Sequence, residues 1–123
     1  MIGSDRPLVL VVDDDLDIRN IVAGILQDEG YQVAKAGNGQ EALNYLNAPG
    51  SVRPRLILLD LMMPIMDGPT FREHQEQSPD LAAIPVLIFT AFGNPADVNW
   101  AAGRLTKPLR LEALLTMVAK HTG

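Results

Sequence analysis

The chain has 123 residues, 47% hydrophobic and 20% charged, which suits one globular domain large enough for a real core. Ten basic against fifteen acidic side chains leave a formal charge of −5, which repels phosphate backbones and argues against nucleic-acid binding by this domain. No cysteine is present, which excludes disulfides, thiolate metal sites and cysteine nucleophiles together.

The first seven residues are polar and lack the basic-then-apolar order of a signal peptide. Leu8 to Val12 is a β-branched apolar run that ends in acids; a strand with both faces apolar suits a parallel sheet covered by helices. Like Leu56 to Leu59, it is far too short to cross a bilayer, so a cytoplasmic protein without membrane contact is expected. Ile18, Ile21, Val22, Ile25 and Leu26 recur at helical spacing, and Gly30 is placed to end that helix. Tyr31 to Ala34 reads as a short second strand. Asn38 suits the cap of a helix from about Gln40 to Leu46, which Pro49-Gly50-Ser51 breaks. Leu56 to Leu59 is the clearest buried strand, with Asp60 at its carboxyl end. Pro64 to Pro69 reads as a loop, followed by a short polar helix from Phe71 to Gln77. Val86 to Phe89 is another buried strand and ends at Thr90. A weak helix from Pro95 to Ala102, a very short strand around Leu105, and an amphipathic helix through Leu111, Leu114, Leu115 and Val118 complete the chain. This regular alternation predicts a parallel α/β sheet with right-handed crossovers, and residues 1–123 read as one domain.

Open sheets of this kind carry their sites beyond the carboxyl ends of the strands. The polar residues there are Asp13 and Asp14, Asp60, Thr90 and Lys107. Carboxylates a few Å apart repel by roughly 3–4 kcal/mol per pair at an effective dielectric of about 20. A hard cation with oxygen ligands would hold them together, and Mg²⁺ suits few carboxylates plus waters. Taken singly, each residue has a plainer explanation: an aspartate at a helix start, a strand-end hydroxyl, a surface lysine. For Asp15 and Asp17 the helix-start role is preferred. The joint occurrence at four strand ends is what points to a site.

The segments Val11-Val12-Asp13-Asp14, Asp60-Leu61-Met62-Met63-Pro64-Ile65-Met66-Asp67-Gly68, Thr90-Ala91 and Lys107-Pro108 resemble, in order, the signatures of response-regulator receiver domains. The resemblance runs from about Leu8 to His121. It implies a doubly wound, flavodoxin-like sheet of five parallel strands in the order 2-1-3-4-5, with helices on both faces. It further implies that Asp60 accepts a phosphoryl group from a histidine kinase or a histidine phosphotransfer protein. Asp14 would ligate Mg²⁺ directly and Asp13 through water, with the Met62 carbonyl as a further ligand. Thr90 and Lys107 would hold phosphoryl oxygens, Lys107 also pairing with Asp60 beforehand. Small Ala91 would leave room for the donor, and the Lys107-Pro108 bond is expected to be cis. Such a domain is not an enzyme in the ordinary sense: it catalyses only its own phosphorylation and dephosphorylation, and it acts by binding a downstream protein.

Two features depart from the family pattern. Arg104 stands where receivers carry the aromatic residue that couples to the threonine, and the interval from Thr90 to Lys107 is several residues short. The fourth helix of the fold is therefore expected to be short or irregular, with Trp100 a candidate substitute packing near the switch. Met62 and Phe92 are apolar neighbours of the path of attacking water, which predicts slow loss of the phosphoryl group. The alternative is a pseudo-receiver, an interaction module without ordinary phosphorylation switching. An aspartate-based phosphatase is disfavoured by Leu16 and by the short chain. His74, on a solvated helix face, and His121, at a terminus expected to fray, are assigned no chemistry. Gly37-Asn38-Gly39 reads as a turn and cap rather than a dinucleotide loop.

Overall fold

The computed structural model describes residues 6–60, 66, 68–90, 100–108 and 110–122. Five strands, β1 (Leu8–Val12), β2 (Gln32–Ala36), β3 (Leu56–Asp60), β4 (Val86–Thr90) and β5 (Gly103–Thr106), form one parallel sheet in the order β2-β1-β3-β4-β5. The helices are α1 (Leu16–Asp28), α2 (Gly39–Asn47), α3 (Gly68–Glu76), α4 (Pro79–Ala82) and α5 (Leu111–Thr122).

The three central strands are buried along their whole length, and alternation sends their side chains to opposite faces. Leu10, Val12, Ile57, Leu59, Val86 and Ile88 meet α2, α3 and α4 on one face. Val9, Val11, Leu56, Leu58, Leu87 and Phe89 meet α1 and α5 on the other. The doubly wound layering expected from the apolar strand runs is therefore the one observed.

Local signals fix the helix ends. Asp15 caps α1 by accepting from the Ile18 amide at 3.1 Å. Its far end closes with paired bonds, Gly30 N–H to the Gln27 carbonyl and Tyr31 N–H to the Leu26 carbonyl, both 3.0 Å, while Gly30 takes φ +96°. Asn38 accepts from the Glu41 amide at 2.8 Å, and Glu41 accepts in return from the Gly37 amide.

Some expectations need correction. The second strand runs to Ala36 rather than Ala34, because Val12 pairs with Ala36 in register, and it starts after Tyr31, whose amide closes α1. The helix expected from Phe71 begins at Gly68, and a separate short helix, α4, follows it. The terminus expected to fray is held: Thr122 is buried, its hydroxyl donates to the Val118 carbonyl at 2.7 Å, and its own carbonyl accepts from Arg55 at 3.1 Å. The segment expected as a weak fourth-crossover helix lies mostly at 91–99, outside the described residues; Trp100 to Ala102 form a turn and bend.

Candidate functional site

The carboxyl ends of β1, β3 and β4 bring Asp13, Asp60 and Thr90 to one rim. Asp13 follows β1 and its backbone amide still bonds the Ala36 carbonyl at 3.1 Å, which holds it in line with the sheet. Asp60 and Thr90 are the last residues of their strands, and Lys107 follows β5 with its amide on the Thr90 carbonyl at 2.8 Å. Asp13, Asp60 and Thr90 are buried, whereas Asp14 is exposed.

Lys107 joins these groups. Its Nζ lies 3.0 Å from Asp13 Oδ2 and 3.3 Å from Asp60 Oδ2, and sits 5.0 Å from the centre of the Phe89 ring. Burial pulls the Lys107 pKa down. The hydrogen bond that Lys107 donates to Asp13 and the charges of Asp60 and Asp13 outweigh that pull, and the net result is a raised pKa. The bond to Asp13 is the shorter of the two, so the lysine is shared rather than reserved for Asp60. The Lys107–Pro108 peptide is cis.

Carboxylate oxygens of Asp13, Asp14 and Asp60 all lie within 4.8 Å of one another. Asp13 is already engaged on both oxygens, Oδ1 accepting from the Asp15 amide at 2.9 Å and Oδ2 from Lys107. Exposed Asp14 is the carboxylate open to solvent. An all-oxygen, triply anionic donor set with a solvent-facing member fits a hard divalent cation that keeps part of its water shell. Met62 lies outside the described residues, as do Ala91 and Phe92.

Arg19 was not anticipated from sequence. One turn into α1, its Nη1 donates to the Asp13 carbonyl at 2.8 Å and so braces the acidic turn from the helix side. Nothing in its spacing distinguishes it from a surface arginine. Arg104 is exposed and pairs in register with Ile88, on the α2–α3–α4 face, where Trp100 also packs.

A family profile described as "Response regulator receiver domain" matches residues 9–119. The chain belongs to that family. As a receiver of two-component signalling, it is 36% identical over 119 residues to the DNA-binding dual master transcriptional regulator RpaA of Synechocystis, covering 91% of this chain and 47% of that one. It is 34% identical over 115 residues to the phosphate regulon transcriptional regulatory protein PhoB of Escherichia coli, covering 89% of this chain and 49% of that one. The receiver thus spans about half the length of these curated relatives. Among solved structures, the Vibrio cholerae chemotaxis protein CheY4 superposes with a TM-score of 0.85 at 32% identity, covering 94% and 98% of the two chains. No described helix is long and apolar enough to cross a membrane.

Proposed function

We propose that this receiver takes a phosphoryl group onto Asp60 from the phosphohistidine of a kinase or a phosphotransfer protein. The observation that carries this is the placement of a buried strand-end carboxylate within 3.3 Å of an ammonium and beside two further carboxylates. An Asp60 oxygen attacks phosphorus, the P–N bond breaks, and the imidazole leaves with that electron pair. Lys107, already in reach of Asp60, then pairs with a phosphoryl oxygen, and Thr90 at the neighbouring strand end donates to another. Asp14, Asp13 and Asp60 would hold Mg²⁺, whose role is to neutralise charge on the phosphoryl oxygens.

The phosphorylated domain acts by binding another protein, and residues 1–123 form one receiver domain. The DNA binding named for the Synechocystis relative is not assigned to these residues, whose net charge of −5 opposes a phosphate backbone. Arg104 favours a second reading of the response alone: phosphorylation proceeds, but switching does not run through threonine–aromatic coupling.

Incubation with acetyl phosphate and Mg²⁺, followed by intact-mass measurement, tests the proposal. One phosphoryl adduct is expected, lost in Asp60→Asn and on chelation of the metal. An unmodified wild-type chain, or an adduct retained in Asp60→Asn, overturns it and leaves the pseudo-receiver.

A further inference from the structure

The chain holds ten basic side chains, and three of them, Arg6, Arg53 and Arg55, line one surface pocket of about 260 Å³. The pocket lies where β1, β2 and β3 begin, so it is separated from the carboxylate rim by the length of a five-residue strand, about 17 Å.

Sheet pairing builds this pocket. Gln32 N–H donates to the Pro7 carbonyl at 3.0 Å and Arg55 N–H to the Leu8 carbonyl at 2.8 Å, so the start of β1 is pinned from both sides. The Gln32 side chain adds a bond to the Arg6 carbonyl at 3.0 Å. Pro54 is buried between exposed Arg53 and Arg55, and both arginines line the pocket.

No carboxylate among the described residues lines the pocket. Among the described residues, the side chains of Arg6 and Arg53 form no ion pair or hydrogen bond. Arg55 uses Nη1 on the Thr122 carbonyl, which leaves four of its five donors. Three like charges around one concavity repel each other, and an anion bound among them relieves that repulsion. Guanidinium forks match the paired oxygens of phosphate and carboxylate, and the cavity is several times the roughly 30 Å³ of a water molecule.

We propose that this pocket binds a small multivalent oxyanion, a phosphate ester or a polycarboxylate, at a site separate from Asp60. Because Arg55 also holds the end of α5, an occupant joins the start of the strand that carries Asp60 to the end of the last helix.

Amide-resolved magnetic resonance of the metal-free chain tests this, by titration with inorganic pyrophosphate and separately with citrate, sodium chloride holding the ionic strength constant. Saturable shifts at Leu8, Gln32 and Arg55 are expected, with affinity falling about tenfold, roughly 1.4 kcal/mol, in Arg53→Gln. Tighter pyrophosphate identifies a phosphate ester as the ligand class, and tighter citrate a polycarboxylate. Arg53 is exposed and unpaired, so an unchanged thermal midpoint verifies that the variant is folded. Shifts that fail to saturate, or an affinity unchanged in Arg53→Gln and in Arg6→Gln, overturn the proposal. Neither result bears on Asp60, since no phosphodonor is present.

Discussion

Replacing Lys107 with methionine keeps most of the side-chain volume and removes the charge that Asp13 and Asp60 share. Each ion contact, at 3.0 and 3.3 Å, has a gross attraction of about 5 kcal/mol at an effective dielectric of about 20. Desolvation offsets much of that, so the useful magnitude is the loss on breaking a buried pair, about 3–5 kcal/mol. The Lys107 side chain is 15% exposed, which lets water reach the orphaned carboxylates and places the loss at the lower end, about 3 kcal/mol. For a domain whose total stability is of the order of 5–15 kcal/mol, that is a large fraction. With an m-value of about 2 kcal/mol/M, the urea midpoint of the metal-free variant falls by about 1.5 M. A double-mutant cycle isolates the cause. Asp13→Asn combined with Lys107→Met removes one of the repelling charges as well, so the pair loses clearly less than the sum of the singles. Added Mg²⁺ narrows the deficit of Lys107→Met by replacing the missing positive charge. A metal-free Lys107→Met within about 0.5 kcal/mol of wild type, the range of an ordinary surface substitution, would refute the electrostatic account.

The same lysine sets an alkaline limit. Its folded pKa is raised, so its contribution is complete below the unfolded value of about 10.4 and is lost as pH rises through the higher folded value. Tyr45, raised by burial, acts in the same direction, and urea midpoints should fall above about pH 10, less steeply in Lys107→Met. An equal fall in both proteins would assign the limit elsewhere. Gln75 is fully buried; it donates to the Leu81 and Ile84 carbonyls at 2.6 and 3.1 Å and accepts from Arg72 at 2.9 Å. Gln75→Leu strips this partner from the Ile84 carbonyl and from Arg72 Nη1, while the Leu81 carbonyl keeps its bond from the Ile84 amide, and should cost about 2–3 kcal/mol in chemical denaturation; a loss below about 0.5 kcal/mol would show that water replaces the amide. Trp100 is the chain's one tryptophan, packed on the α2–α3–α4 core with the Arg72 guanidinium 5.5 Å from its ring. Its emission should change with acetyl phosphate and Mg²⁺ but not in Asp60→Asn, and unchanged emission would separate Trp100 from the response.

How much could be read before the structure depended on the range of the interaction involved. Leu8–Val12, Leu56–Asp60 and Val86–Thr90 are apolar on both faces, so composition alone announced central strands. Caps at Asp15 and Asn38 and the stop at Gly30 are bonds between residues a few positions apart, and they too were legible. The edge strand β2 was misplaced because it is half-exposed, and pairing with β1 decides its length. The short helix α4 was not foreseen, since it is tied down by Gln75, whose polar side chain in a polar helix gives no sign of being buried against the Leu81 and Ile84 carbonyls.

The rim divides along the same line. Asp13, Asp60, Thr90 and Lys107 could be placed together because each stands at the end of a strand and the strand order fixes which ends are neighbours. The unequal sharing of Lys107 and the brace from Arg19 to the Asp13 carbonyl could not, since both depend on side-chain reach across elements up to 94 residues apart. Consequences for signalling follow from the β5 edge. That strand buries only Leu105 among its four residues, and Leu105 faces the α1–α5 side. Arg104 points to the opposite face and is exposed. On the proposed function, in which Thr90 turns to a phosphoryl oxygen, β5 has no aromatic side chain to rotate inward beside it. Among the described residues, the large aromatic near β5 that packs on that face is Trp100, held between the core and Arg72, which in turn bonds Gln75 and through it the turn before β4. A rearrangement starting at Thr90 and passing along that face therefore meets a hydrogen-bonded chain running back to α3, rather than a single ring free to turn.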